Sequence, residues 1–291
     1  MSKKIPLTKT RQKWLSQRKE PPMVQGKTLL YPDAVATKFA KRLTALVDAM
    51  TRETEREVLA LFTSETAENG YLPTQDASIT SQARILINRL RRKYIRIFNR
   101  DIESLITQML NNTDKASKSS TAQSLKELSG GLMLKTDFLS GEMKEQFQSL
   151  IQDNVSLFKT IPATAFNKVE GAVYDSITSG QGIKDLKPFF QQFSNGTKNY
   201  AHLRAYDQTR KAFTTLNMAR LEKNGIKRVK WIHSHGSNAP RKLHQELDGQ
   251  IFDIDKPPVI GVMYGVEVRG YGGTLPNCRC QIKPVFDFAK T

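Results

Sequence analysis

The residue pattern of the chain changes at Gly225, and this change constrains the fold more than any other feature. Before Gly225, apolar residues recur every three or four positions, as in amphipathic helices. After it, short β-like stretches lie between clusters of Gly, Pro and Asn, and they read VKWIHS, IFDI, VMYGVEV and CQIKPVF. The sequence therefore predicts an α+β fold, in which a long, mainly helical N-terminal region precedes a small α+β, β-rich C-terminal module.

Two long helices are predicted in the first half of the chain. One runs from Asp33 to about Phe62, and the other is SQARILINRLRRKYIRIFNRDIESLITQML, with a break at Gly70 and Pro73 between them. Their apolar stripes comprise Val35, Phe39, Leu43, Leu46 and Met50 in the first, and Leu86, Leu90, Tyr94, Ile97, Phe98, Leu105 and Met109 in the second. The polar stretch at residues 111–123, NNTDKASKSSTAQ, predicts a loop or linker.

Three further helices are predicted before the pattern changes. The first begins near Pro162, because proline suits the first turn of a helix, and ends at Gly180. The second is IKDLKPFFQQF, which begins close to Pro188. The third, AHLRAYDQTRKAFTTLNMARLEK, contains good helix formers and stops at Asn224 and Gly225.

The chain is strongly basic, with 45 Lys and Arg against 28 Asp and Glu and a net charge of +17. Such an excess indicates an anionic partner, of which nucleic acid is the commonest, although a basic surface can also serve solubility alone. Residues 1–32 carry many of these cations and are predicted to form a flexible basic arm. A basic stripe on the second helix is a candidate contact for double-stranded DNA without sequence preference, or for an acidic protein surface, or is simply solvated, and it comprises Arg89, Lys93, Arg96 and Arg100.

No stretch of the sequence approaches the roughly 20 apolar residues of a membrane span, so no membrane partner is expected. The N-terminal segment has charge but no apolar core of the kind that secretory signals carry. The chain is therefore expected to stay in the cytosol in which it is made.

The C-terminal module contains five residues that can bind zinc, namely His233, His235, His244, Cys278 and Cys280. Cys-x-Cys and His-x-His pairs on strands each present two side chains to one face, so two facing strands could form a tetrahedral site. The spacing is not that of a zinc finger, and both cysteines can instead be small buried residues. The cysteines are too far apart on a strand to form a disulfide with each other, so a reduced or metal-bound pair is expected. Zinc is left open as a possible cofactor.

An enzymatic alternative is a metal-dependent nuclease that uses the three histidines of the module, with Asp248 orienting His244 as a general base. Asp248 and Gly249, however, also form a typical turn pair that leads into a strand. No Gly-rich phosphate loop, nucleophile elbow or H-E-x-x-H motif is present. The sequence therefore favours a protein that is not an enzyme.

The last half of the chain resembles the phage Mu protein F-like family of minor head proteins, also called phage head morphogenesis proteins. The resemblance runs from about Asn154 to Phe286, and the region 154–291 is assigned to it. In the first part the matching residues are Ala205, Asp207, Gln208, Thr209, Asn217, Arg220, Gly225, Ile226 and Trp231. In the second and third parts they are His244, Leu247, Asp248, Gly249 and Phe252, and then Asn277, Cys278, Arg279 and Cys280. The stretch before His244 keeps Arg241 but lacks the aspartate that many relatives have there.

The resemblance implies a structural role in head assembly and in DNA packaging or delivery. The expected partners are the portal protein and the capsid shell, with residues 33–153 as the candidate contact region. The expected location is the virion, in the capsid interior or at the portal vertex, after assembly in the host cytoplasm. An internal head protein that binds DNA and is ejected with it, without portal contact, is the second alternative. Cys278 and Cys280 are expected to close the module opposite His244, with Arg279 directed outward or paired with Asp248.

Overall fold

The computed structural model describes residues 6–18, 22–69, 79–136, 141–236 and 239–288, with the backbone alone for residues 64–69. The chain is 68% helical, and its strands are concentrated at the C-terminal end, which confirms the predicted α+β class. The helices are α1 (Lys9–Ser16), α2 (Asp33–Asn69), α3 (Ile79–Ser129), α4 (Glu142–Ser179), α5 (Ile183–Lys223) and α6 (Lys242–Glu246). The strands are β1 (Met23–Gln25), β2 (Arg228–Ile232), β3 (Ile251–Asp253), β4 (Val259–Met263), β5 (Val266–Arg269) and β6 (Gln281–Asp287).

The chain forms two compact units, and each is discontinuous in sequence. The first unit comprises Met1–Ala36, Met109–Leu150 and Tyr206–Thr291, and the second comprises Thr37–Gln108 and Ile151–Ala205. Helices α2 to α5 each contribute a segment to both units. The boundaries predicted from the sequence, in contrast, are linear and follow residues 32 and 153. Among the described residues, no helix combines the length and the apolarity that crossing a membrane requires.

The second unit is built from segments of the four long helices around an apolar and aromatic core. Phe39 of α2 packs edge-on against Phe158 of α4 at 5.4 Å between ring centroids, and Tyr94 of α3 lies 6.3 Å from Phe166 of α4. The predicted stripes supply much of this core, because Leu43, Met50, Leu90 and Phe98 are buried together with Phe39 and Tyr94. Gly70 and Pro73 of the predicted break lie outside the described residues.

Two helix starts predicted at prolines were wrong. Pro162 lies in the interior of α4, twenty residues after its start at Glu142, and Pro188 lies inside α5, which begins at Ile183 and continues without a break to Lys223. A proline inside a helix removes one backbone hydrogen bond and costs about 3 kcal/mol. Buried side chains on both sides of each proline offset this cost, and they are Phe158 and Phe166 in α4, and Leu186 and Phe190 in α5. The predicted stops at Gly180 and Gly225 are confirmed.

The first unit contains a four-stranded antiparallel sheet in the order β1-β6-β2-β3 and a separate β4-β5 hairpin. The predicted strands at residues 229–234, 251–254 and 280–286 correspond to β2, β3 and β6. The stretch VMYGVEV instead turns back on itself at Tyr264 and Gly265, both of which have positive φ. Two consecutive residues of this kind form a tight hairpin turn that suits the twist of the paired strands.

The predicted loop at residues 111–123 was wrong, because the segment lies within α3. Polar residues recur there at helical spacing and face the protein interior, and the buried ones are Thr113, Asp114, Ser117 and Thr121. Asp114, Ser117 and Thr121 contact polar side chains of α5, whereas Thr113 donates to the Met109 carbonyl one turn earlier in α3. A helix with a polar buried face lacks the apolar periodicity by which helices are recognised in a sequence.

The centre of this polar interface is Arg220 of α5, which is fully buried. Its guanidinium forms an ion pair with Asp114, donates to Ser117 Oγ at 2.6 Å, and donates through Nε to the carbonyl of Thr136 at 3.0 Å. The neighbouring Asn217 accepts hydrogen bonds from Ser117 at 2.7 Å and from Thr121 at 2.9 Å. These contacts satisfy groups that would otherwise be costly to bury.

The predicted flexible arm contains regular structure within its described residues. Helix α1 is capped by Thr8, whose side chain accepts from the Arg11 N–H, and Arg11 donates to the Glu127 carbonyl at the end of α3. Strand β1 pairs with β6, with Val24 opposite Phe286. Strand β1 was not predicted, because three residues are too few to show an alternating apolar pattern. The high charge of the segment indicated a flexible arm instead.

Candidate metal centre

The two cysteines lie in the loop that leads directly into β6. Asn277 has a φ of 59°, a conformation that asparagine tolerates well, and its N–H donates to Asp207 Oδ1 of α5 at 2.7 Å. The Cys278 N–H donates to the Leu275 carbonyl at 3.1 Å, which closes a turn. Cys278 and Cys280 are each 3% exposed, and Arg279 between them is exposed. The loop thus buries both thiols and leaves the arginine between them at the surface.

His244 of the short helix α6 faces both thiols and is 2% exposed. Its Nδ1 lies 3.6 Å from Cys278 Sγ and 3.7 Å from Cys280 Sγ, while its Nε2 lies 2.9 Å from the Ile260 carbonyl oxygen. Because a carbonyl can only accept, Nε2 carries a proton, and Nδ1 is the ring nitrogen that faces the sulfurs. The hydrogen bond to Cys278 raises the pKa of His244.

The three ligand atoms are spaced as the corners of a metal coordination sphere. His244 Nδ1 and the two Sγ atoms all lie within 4.8 Å of one another. In a tetrahedral zinc site the bond lengths place nitrogen and sulfur about 3.5 Å apart and two sulfurs about 3.8 Å apart. The observed nitrogen–sulfur distances of 3.6 and 3.7 Å are close to this value. The three side chains can therefore hold a metal ion with little rearrangement.

The surroundings of the two thiols shift their pKa values in opposite directions. The hydrogen bond from Cys280 lowers the pKa of Cys278 to about 4, with help from His244 and from the Gly273 N–H, which donates to Cys278 Sγ at 3.3 Å. The same hydrogen bond and burial raise the pKa of Cys280. Metal binding requires thiolates, so a bound cation would displace the thiol protons.

Side chains from distant parts of the sequence enclose this centre. The Trp231 ring of β2 lies 5.2 Å from the His244 ring in an edge-to-face arrangement. Tyr31 donates its hydroxyl to the Cys280 carbonyl at 2.5 Å, and Thr214 of α5 donates to the Gly272 carbonyl at 2.7 Å. Burial raises the pKa of Tyr31 above its usual range, so its phenol stays protonated. A side chain at Gly272 would overlap the Cys280 backbone.

The other predicted ligands form a separate group. His233 Nδ1 lies 3.3 Å from His235 Nδ1, and Asp248 accepts from the His233 N–H at 2.8 Å and lies 3.4 Å from His235 Nε2. The backbone N–H lowers the pKa of Asp248. Gly249 follows with a φ of 76° and completes the turn before β3. The structure thus brings together three of the five predicted ligands, and the hydrogen bonds of Asp248 go to these two histidines rather than to His244.

The predicted nucleic-acid stripe is exposed in the second unit, but acidic side chains contact much of it. Arg89 forms an ion pair with Glu57, and Lys93 Nζ lies 2.5 Å from Glu53 Oε1. Arg100 pairs with the adjacent Asp101 at 2.5 Å, and Arg96 donates to the carbonyl one turn before it at 3.3 Å. The stripe therefore offers less uncompensated charge than its sequence indicates.

Two residues that matter for the centre were not predicted as site residues. Tyr31 gave no signal, because it lies in the segment assigned to the arm and nearly 250 positions before its partner. Asp207 was recognised as part of a family motif, and the structure shows that it holds the cysteine loop through Asn277. The spacing of polar residues on α5 could have indicated that this helix has a buried polar contact.

The fold and the site define a basic α+β protein whose C-terminal module closes around a buried His-Cys-Cys cluster. Residues 167–283 match the family model described as Phage Mu protein F like protein, which confirms the resemblance of this part of the chain to that family. An uncharacterized protein of Haemophilus influenzae is 32% identical over 148 residues, which make up 51% of this chain and 31% of the relative. The chain thus spans about a third of that relative. No solved structure matches the chain.

Proposed function

We propose that the protein is a minor component of a phage head that acts in head morphogenesis at the portal vertex. The observation that carries the proposal is the family match over residues 167–283, which contains the α5 motif, the turn at Asp248 and the cysteine loop. In the structure these motif residues make internal contacts that hold the module and α3 together. Asp207 holds the cysteine loop, Arg220 holds α3, and His244 faces the thiols. Such an arrangement supports a structural protein rather than an enzyme.

Non-specific contact with packaged DNA forms part of the proposal. The net charge of +17 favours binding to dense phosphate, and such binding weakens steeply with added salt. The stripe at Arg89, Lys93, Arg96 and Arg100 contributes through its exposed guanidinium and ammonium groups, in competition with Glu53 and Glu57. The ejected internal head protein remains the alternative within this class.

The β4-β5 hairpin supports contact with a protein partner in the head. Its apolar tip is exposed, with Val262 at 64%, Tyr264 at 100% and Val266 at 66% of their full accessible areas. Soluble proteins keep few such side chains together unless a partner covers them. The hairpin is thus a second candidate contact for the portal or the shell, beside the helical region 33–153.

The test of the function is a quantitative mass-spectrometric inventory of purified precursor heads and mature particles. We expect a few copies of this polypeptide for each portal ring in both particles. Loss of the polypeptide after DNA release would add an ejection role. Absence from both particles would contradict the proposal and would direct attention to the nuclease alternative, tested by chelator-sensitive DNA cleavage that depends on His244.

A hairpin variant locates the protein contact. In Val262→Ser/Tyr264→Ser/Val266→Ser we expect incorporation into heads to fall more than tenfold, because losing three apolar contacts that a partner would bury costs well over about 1.4 kcal/mol. The matched control is Ile85→Ser on α3, which removes an apolar side chain that is 66% exposed elsewhere. Equal incorporation of both variants, at an unchanged melting temperature, would show that the hairpin does not contact the head.

A further inference from the structure

The His244-Cys278-Cys280 cluster carries an inference that does not depend on the proposed function. We propose that it binds one Zn²⁺ through His244 Nδ1, Cys278 Sγ and Cys280 Sγ, with a solvent molecule in the fourth position, and that this ion is a structural clamp of the C-terminal module. The proposal stands on the geometry of the three buried ligand atoms.

The ligand chemistry selects the metal. Two thiolates and an imidazole suit zinc, a borderline-soft ion that prefers tetrahedral sulfur and nitrogen ligands. Calcium and magnesium require oxygen ligands, which the cluster does not supply. In the part of the chain that the structure describes, no fourth His, Cys, Asp or Glu joins the group, so the remaining position falls to solvent.

The surroundings support a bound metal thiolate. The His244 Nε2–H donates to the Ile260 carbonyl, which fixes the ring with Nδ1 towards the sulfurs, as second-sphere groups do in zinc sites. The Gly273 N–H donates to Cys278 Sγ at 3.3 Å. The indole N–H of Trp231 is buried without an acceptor among the described residues, and its ring packs against the His244 ring at 5.2 Å. These donors can stabilise the negative charge of two thiolates.

A clamp has a clear mechanical purpose at this point of the fold. The apolar cluster around the site is small and consists of Trp231, Leu247, Ile260, Leu275, Cys278 and Cys280. Small cores gain much of their stability from metals or other cross-links. The ion would link α6 to the loop that precedes β6, 34 residues away in sequence. The free energy of metal binding would then contribute to the stability of the folded module.

The test uses the full-length chain purified under reducing conditions without chelator. Elemental analysis is expected to find about one zinc ion per chain. A strong chelator is expected to lower the melting temperature by several degrees, and added Zn²⁺ should restore it. Cobalt substitution should produce the visible absorption of a tetrahedral thiolate site.

The variants separate ligands from their neighbours. Cys278→Ser, Cys280→Ser and His244→Gln are expected to weaken zinc affinity at least tenfold, whereas His235→Gln, which changes an exposed histidine two residues from His233, should retain zinc. If the ligand variants do not fold, the chelator response of the unmodified chain still decides. The proposal would be overturned if the purified chain contains no zinc and its melting temperature does not change with chelator or with Zn²⁺. Stoichiometric copper in place of zinc would also overturn it.

Neither outcome depends on the function proposed above. If the protein is a head component without zinc, it will be found in the particles but will contain no zinc. If it binds zinc but is not a head component, it will contain zinc but be absent from the particles.

Discussion

Replacement of Asp114 by alanine is expected to lower the free energy of unfolding by about 3–5 kcal/mol, as removal of one partner from a buried ion pair typically does. The variant leaves Arg220, which is fully buried, without its carboxylate. The remaining hydrogen bonds to Ser117 and Thr136 cannot neutralise a guanidinium. Denaturant unfolding of the full-length chain, followed by circular dichroism, measures the loss.

Two further variants make this result specific. Asp101→Ala on the same helix removes an acid whose partner, Arg100, is exposed, and its cost should stay below about 1 kcal/mol. The double variant Asp114→Leu/Arg220→Met replaces the pair by apolar groups and should recover much of the loss. Equal losses for Asp114→Ala and Asp101→Ala would contradict the role assigned to the buried pair.

Replacement of Trp231 by alanine is expected to cost about 3–5 kcal/mol, the usual range for truncating a buried aromatic side chain. Trp231 is 1% exposed, pairs with Ile282 of β6 in the sheet, and packs its ring against His244. The truncation would leave a cavity between the sheet and the cysteine loop. Thermal and denaturant unfolding report the change.

The matched control is Trp14→Ala, because Trp14 is the other tryptophan of the chain and lies half-buried on α1 beneath Arg11 and Arg18. Its truncation leaves no enclosed cavity and should cost about 1 kcal/mol or less. A Trp231→Ala variant as stable as the Trp14→Ala variant would show that the loop and the sheet do not depend on this ring.

The sequence correctly predicted those parts of the fold in which the apolar residues of a local pattern are also the buried residues. Leu43, Leu90 and Phe98 recur at helical spacing and are buried, so α2 and most of α3 were recognised. Gly180 and Gly225 end helices with positive φ, a conformation that glycine adopts without strain. The strands β2, β3 and β6 were found because their β-rich residues stand between turn residues.

The candidate site was predicted in part. Both cysteines and His244 were recognised as potential ligands, and His244 was expected opposite the thiols. His233 and His235 were included as a His-x-His pair on a strand. Spacing cannot show that α6 directs His244 inward while Asp248 contacts the other two histidines. The contact of Tyr31 with the Cys280 carbonyl joins residues 249 positions apart, which no local pattern can indicate.

What the sequence determined by itself was the class of the fold, the basic charge and the motifs by which residues 167–283 resemble the phage Mu protein F-like family. Only the tertiary structure decided which polar residues are buried. Residues 111–123 form a helix because Arg220 and Asn217 on α5 supply buried partners for their side chains. Pro162 and Pro188 remain inside helices because packing on both sides exceeds the cost of one lost hydrogen bond. Both outcomes depend on contacts between segments that are distant in sequence. The free energy of such contacts cannot be inferred from the residue pattern of a single segment.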